Sequence, residues 1–238
     1  MDWQDDGVIL GVRKHGETSA IVSAFTRSHG RHAGLVRQVS SKKLRGIVQP
    51  GNLVRLNWHA RLEEHLGIYS MELLQSNVAP LMLDPGKLTA MMSACALVSA
   101  GVPEHEPHPD LFETLSSLMV ALDHDDWPSV YVKWEIGLLA ELGFGLDFSQ
   151  CAATGERDGL VYVSPKTGRA VSAQAGRPYH DRLLALPAFL LTGEVPGAAD
   201  LVQALKLTGH FLNRHVLAHS SKALPDSRGR LMDRWLKA

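Results

Sequence analysis

Ten lysine and arginine side chains fall between Arg13 and Arg61, against one acid, Glu17. They are Arg13, Lys14, Arg27, Arg31, Arg37, Lys42, Lys43, Arg45, Arg55 and Arg61. The chemistry open to such a set is charge neutralisation. Ammonium and guanidinium groups displace the counterions of a polyanion, and nucleic acid is the commonest polyanion in a cell. From Leu62 to Val130 the balance reverses, with one base, Lys87, against eleven acids. A formal net charge of −1 conceals this layout. A merely solvated face would interleave acids with its bases, so a nucleic-acid-binding surface is the favoured reading. Ser40 to Arg45 is its expected flexible phosphate clamp. Single strands add a need for aromatic faces on which bases stack. Phe25, Trp58 and Tyr69 lie in the same region, but small barrels also need large interior side chains, and a core role is favoured for Phe25 and Trp58.

Other chemistry-bearing residues are less persuasive. His215 and His219 stand four apart, but Val216 occupies the place where a metalloprotease motif requires Glu. His105, His108 and Asp110 cluster in a proline-rich loop, and both groups read as surface or capping histidines. Cys151 has no base that the sequence can place beside it. No phosphate-cradling glycine loop and no Gly-x-Ser-x-Gly elbow occurs. The residues therefore describe a binding protein without metal or cofactor, and not an enzyme. Two rivals stand beside it: a protein-interaction adaptor whose basic face meets an acidic partner without direct DNA binding, and a metal-dependent hydrolase using the histidines and Cys151.

The elements that must position the bases are strands. Gly7 to Val12 is short and apolar, Ala20 to Thr26 follows, and Ser28-His29-Gly30-Arg31 reads as a hairpin turn before Ala33 to Val36. Ser40 to Gly46 reads as an exposed loop, Pro50-Gly51-Asn52 as a turn, and Leu53 to Trp58 as an alternating strand, with a last strand near Leu66 to Glu72. Five hairpin-linked strands predict a small closed barrel, with the oligonucleotide-binding (OB) fold the leading candidate. After Pro80 the periodicity becomes helical: Pro85 to Val98 behind an Asp84 N-cap, Asp110 to Leu122, and Ser129 to Leu142 closed by Gly143. Cys151 to Asp181 is glycine-rich with short strands such as Leu160 to Val163. Leu183 to Leu191, Ala199 to Ala218 and Ser227 to Ala238 read as helices. Two distant cysteines, an acidic N-terminus and no apolar run of roughly 18 residues predict a cytoplasmic chain with reduced thiols.

The run from Val12 to Leu74 resembles the N-terminal barrel of the bacterial recombination-mediator family RecO. The likeness rests on FTRSHGRHAGLVR (Phe25 to Arg37), the basic stretch Ser41 to Arg45, and LRGIVQPGNLVRLNW (Leu44 to Trp58). It continues in ELGFGLDFSQCAATG (Glu141 to Gly155), VYVSPKTGRAVS (Val161 to Ser172) and LPAFL (Leu186 to Leu190). The resemblance implies an α+β chain: an OB-fold barrel over residues 1–79, then a helical domain over residues 80–238 with a small zinc-ribbon-like insertion at about 150–182. It further implies binding of single- and double-stranded DNA, annealing of complementary strands, and loading of RecA with RecR onto DNA coated by single-strand-binding protein. The acidic C-terminal tail of that coating protein is a further implied partner, RecA is an indirect one, and a nucleoid-associated place in the cytoplasm follows. Bases near Lys133, at Lys206 and Arg214, or at Arg228, Arg230, Arg234 and Lys237 are candidates for that tail. The zinc pattern is broken here. Cys151 stands at the first ligand position, but Thr154, Ser172 and Ala175 occupy the other three, predicting a metal-free remnant held by packing.

Overall fold

A computed structural model describes residues 1–62, 64–218 and 223–237 of the chain. Contacts divide it into two compact units, Met1–His124 and Asp125–Ala238.

In the first unit, period-two alternation of apolar and polar residues makes strands with one face inside. β1 (Asp2–His15) buries Gly7 to Leu10 and extends well beyond its apolar centre. β2 (Ser19–Thr26) and β3 (Gly30–Val36) follow as a meander, and β4 (Leu53–His59) and β5 (Ile68–Gln75) form a hairpin. The strands close in the order β1-β2-β3-β5-β4, with Asp2 paired to His59 on β4 and Leu35 meeting Ile68 in parallel. That closed five-stranded order, with a helix between the third and fourth strands, is the OB-fold. Ile9, Val22, Val54, Leu56, Trp58, Tyr69 and Met71 fill its interior.

The segment expected to be a loop at Ser40 to Gly46 is instead the helix α1 (Lys42–Ile47). The Ser41 hydroxyl accepts from the Leu44 amide at 3.3 Å, and Ile47 anchors the turn in the core. Asn52, fully buried, then fixes the start of β4. Its amide donates to the Gly46 and Ile47 carbonyls, and its oxygen accepts from the Asn77 and Val78 amides. α2 (Val78–Leu81) leads to α3 (Pro85–Gly101), whose Asp84 carboxylate caps the Gly86 and Lys87 amides. Cys95 on α3 sits wholly buried against β1, where burial pushes its thiol up to about 12. Residues after α3 clasp β3: the His105 amide donates to the Arg31 carbonyl at 3.0 Å, and Arg31 Nε donates to the Val102 carbonyl at 2.9 Å. Gly30 is required there, because its φ is +64° and a Cβ would strike the Glu106 carbonyl. α4 (Pro109–Ala121) completes the unit.

The second unit packs α5 (Trp127–Glu141), α8 (Ala198–Phe211) and α9 (Asp226–Leu236) around buried Leu138, Leu205, Phe211 and Leu231. Between α5 and α8 lie β6 (Leu160–Val163), β7 (Ala170–Ser172), α6 (Ala173–Gly176) and β8 (Leu184–Ala185), with sheet order β7-β6-β8. The helix expected over Leu183 to Leu191 is confined to α7 (Phe189–Thr192). Leu184 and Ala185 pair with β6 instead, and Pro187 disfavours helix in the residue before it. α8 runs on through a π turn at Leu212–Val216.

Candidate nucleic-acid interface

Strand register decides which bases meet. Lys14 lies beside Ala20, and Ala20 beside Val36, the residue before Arg37. The Val39 amide donates to the Thr18 carbonyl at 2.8 Å, tying the loop before α1 to the β1–β2 turn. Arg13, Lys14, Arg37, Lys42, Lys43 and Arg45 therefore collect at one end of the barrel, where all six are exposed. None of the six makes an ion pair among the described residues. The Arg45 side chain donates to the Ser40 carbonyl at 3.1 Å. α1 displays Lys42, Lys43 and Arg45 on a short helical turn in place of the expected loop.

The other four candidates sit elsewhere. Arg27 pairs with Glu113 and lies 4.9 Å over the Phe112 ring. Arg31 reaches Glu104 at 2.9 Å, inside the clasp. Arg55 pairs with Asp6 at 3.0 Å on the barrel wall, and that hydrogen bond raises its already high pKa. Arg61 is exposed just beyond β4, at the far end of the barrel. The basic run is thus one cluster of six and four dispersed residues. The dispersal was hidden from sequence reasoning because the acids on Arg27 and Arg31 lie more than seventy positions away.

Aromatic placement follows the core reading. Phe25, Trp58 and Tyr69 are buried, and burial pushes the Tyr69 phenol up. The Trp58 indole donates to the Leu66 carbonyl at 3.1 Å. The half-buried Trp3, which sequence reasoning missed, stacks on His29 with centroids 4.2 Å apart and on Trp58 at 5.6 Å. A tryptophan in an otherwise polar, acidic strand arm was the signal available for it.

The glycine-rich segment of the second unit retains the outline of a metal knuckle without the donors. Cys151 is 1% exposed, and its sulfur accepts from the Ser172 amide at 3.3 Å. The Ser172 hydroxyl in turn accepts from the Ala175 amide at 3.4 Å. Burial pushes the thiol up, but hydrogen bonds from the Thr154 hydroxyl and from Ser172 outweigh it, leaving the pKa at about 6. One thiol among Cys151, Thr154, Ser172 and Ala175 does not fit a structural zinc, which needs four donors. No group of three or more His, Cys, Asp or Glu able to hold a metal occurs among the described residues. His105 packs edge-on against His32 at 4.4 Å, and His108 lies 3.6 Å from Glu106. His215 stacks between Phe144 and Phe211, while His219 lies outside the described residues.

One base considered for a peptide partner is removed from the surface. Arg228 is 4% exposed and lies in a buried pair with Glu135, with Nε 2.8 Å from Oε1. Arg230, Arg234 and Lys237 remain exposed. No helix of the described residues is long and apolar enough to cross a membrane.

Comparison with known proteins agrees with this architecture. The family model described as recombination protein O N terminal matches residues 1–77, and that described as recombination protein O C terminal matches residues 82–225. A relative from Rhodospirillum centenum, named DNA repair protein RecO, is 53% identical over all of this chain and 96% of its own length. Proteins of the same name from Cereibacter sphaeroides and Mesorhizobium japonicum are 47% and 49% identical. They cover 98% and 96% of this chain, and 98% and 91% of their own.

Proposed function

The chain belongs to the RecO family, with a role in DNA repair and recombination, and from that premise we propose that its barrel binds DNA through the six-base end. The protein then acts without a catalytic step of its own as a cytoplasmic, nucleoid-associated mediator. It holds single and double strands, anneals complementary strands, and with RecR assists RecA onto DNA coated by single-strand-binding protein, whose acidic tail the second unit contacts. The observation that carries this reading is the cluster of Arg13, Lys14, Arg37, Lys42, Lys43 and Arg45, exposed and free of acidic partners among the described residues. An exposed cation without a carboxylate neighbour gains most by neutralising a phosphate, because no competing pair has to be broken.

The test is the triple variant Lys42→Glu, Lys43→Glu, Arg45→Glu in a fluorescence titration across salt concentrations. Each lost phosphate contact removes about 0.9 from the log–log salt slope on duplex and about 0.7 on single strands. Three lost contacts should flatten the slope by roughly 2 to 3. Reversal of Arg27, already paired with Glu113, should do less. Unchanged affinity and slope in the triple variant would remove the surface from consideration.

A further inference from the structure

The far end of the barrel differs in chemistry from the six-base end. There Trp3, His29 and Trp58 form a ladder of rings, with interplanar angles of 10° for Trp3 on His29 and 17° for Trp3 on Trp58. His32 closes the ladder edge-on, 5.1 Å from Trp3 and 5.0 Å from Trp58. A cleft of about 520 Å³ opens over these rings, with His105 and Pro107 on its other wall. Small planar ligands occupy clefts of roughly 300–1,000 Å³. We propose that this cleft is a stacking site for one unpaired nucleobase of a DNA strand, with His29, backed by Trp3, as the ring platform and Arg61 as its phosphate contact. The proposal rests on the DNA-binding reading above and adds to it a subsite that recognises bases.

Charge at the cleft suits a base joined to a phosphate. The acids nearby are already engaged: Asp5 accepts from the Ser28 amide at 2.7 Å and faces His29 Nδ1 at 3.1 Å, and Asp2 pairs with His59. Arg61 follows Ala60, whose amide donates to the Met1 carbonyl at 3.0 Å, so the Arg61 backbone lies next to Met1 in the cleft's lining. Arg61 is exposed and makes no ion pair among the described residues. Burial, with His105 close by, lowers the His32 pKa to about 4, so its ring is neutral near pH 7; Nδ1 donates to the Ala33 carbonyl at 3.0 Å, which leaves Nε2 as an acceptor. An apolar peptide would want a less polar rim than His29, His32, His105 and Asp2 supply. Ten residues of β1 separate Trp3 from Arg13, about 33 Å of extended chain, so a strand reaching both ends lies along the barrel.

The experiment compares a short oligothymidine strand with an abasic strand of equal length, by fluorescence anisotropy at low salt. Stacking one base on an aromatic face is worth roughly 5- to 150-fold in affinity. Wild-type protein is expected to prefer oligothymidine by a factor in that range. Trp3→Ala and His29→Ala should each bring the ratio close to one while leaving abasic affinity intact, and Trp3→Phe should keep most of it. The basic-end triple variant should weaken both strands alike and leave the ratio unchanged. A wild-type ratio of one, or a wild-type ratio kept by both Trp3→Ala and His29→Ala, overturns the stacking site alone. Failure of the wild-type protein to bind either strand overturns the DNA-surface reading as well. An intact abasic affinity in Trp3→Ala also shows that this variant is folded.

Discussion

Replacing Arg228 by Ala tests whether the second unit is held by its buried ion pair. The guanidinium of Arg228 on α9 grips Glu135 on α5 through two bonds, Nε to Oε1 at 2.8 Å and an η-nitrogen to Oε2 at 2.9 Å. It also donates to the Leu205 carbonyl at 2.6 Å and the Thr208 hydroxyl at 2.9 Å on α8. Glu135 is 0% exposed and additionally accepts from the Tyr131 and Thr208 hydroxyls. α8 admits the guanidinium because it carries Gly209, where a Cβ would stand 2.8 Å from an Arg228 nitrogen. Removing Arg228 leaves a carboxylate stranded out of water, for which the expected loss is about 3–5 kcal/mol. That is a large share of the roughly 5–15 kcal/mol that holds a domain. Urea denaturation followed by tryptophan fluorescence reports it, since Trp127 and Trp235 lie 5.8 Å apart in this unit. The midpoint should fall sharply at unchanged slope. The double variant Glu135→Met, Arg228→Met should lose less than Arg228→Ala alone, because no unpaired charge remains. A loss below about 1 kcal/mol in Arg228→Ala, or a double variant equal to the sum of the two single variants, would refute the reasoning.

Two further outcomes follow from the sites described. His32 is held near pKa 4 in the folded barrel against 6.5 when unfolded, so the unfolded chain takes the proton first as pH falls. Stability should therefore be full above pH 6.5 and decline between 6.5 and about 4, by on the order of 3 kcal/mol. Denaturation midpoints of wild-type and His32→Asn protein across that window check this, and equal pH slopes would contradict it. In the second unit, Thr154→Cys, Ser172→Cys and Ala175→Cys together should restore a four-thiolate set around Cys151, given the hydrogen bonds that already link these positions. Elemental analysis after gel filtration should find stoichiometric zinc in the triple variant and none in Ala175→Cys. A folded triple variant without zinc would mean that the four positions do not converge.

What could be read before any coordinates depended on the range of the interaction. The β2–β3 turn was legible because Gly30 must take a positive φ, and the start of α3 because Asp84-Pro85 is a cap and first-turn pair. α1 escaped because six residues hold less than two helical turns, too few for periodicity, and Gly46 argues locally for a loop. β1 was read short because its outer arms, Asp2 to Asp6 and Arg13 to His15, are polar apart from Trp3 and owe their extension to β2 and β4. In the candidate site, the positive run was plain in composition. Its sorting into six clustered bases, three paired ones and a separate Arg61 was not, since Glu104 and Glu113 reach it only through folding, and Trp3 gains its meaning only beside His29 and Trp58.

The closure of β1 on β4 also governs how the barrel is made. β2 is a near neighbour in the chain, so the first hairpin can form as soon as it is synthesised, but Asp2 must wait for His59. At roughly 5–20 residues per second on the ribosome, the thirty-odd residues between Thr26 and His59 take about 2–7 s to appear. Through that interval β1 carries an unpaired edge with Val8, Ile9 and Leu10 uncovered, a template for pairing with another nascent chain. The acidic arm Asp2, Asp5 and Asp6 lies along that same waiting edge, and its like charges set neighbouring copies apart until β4 arrives.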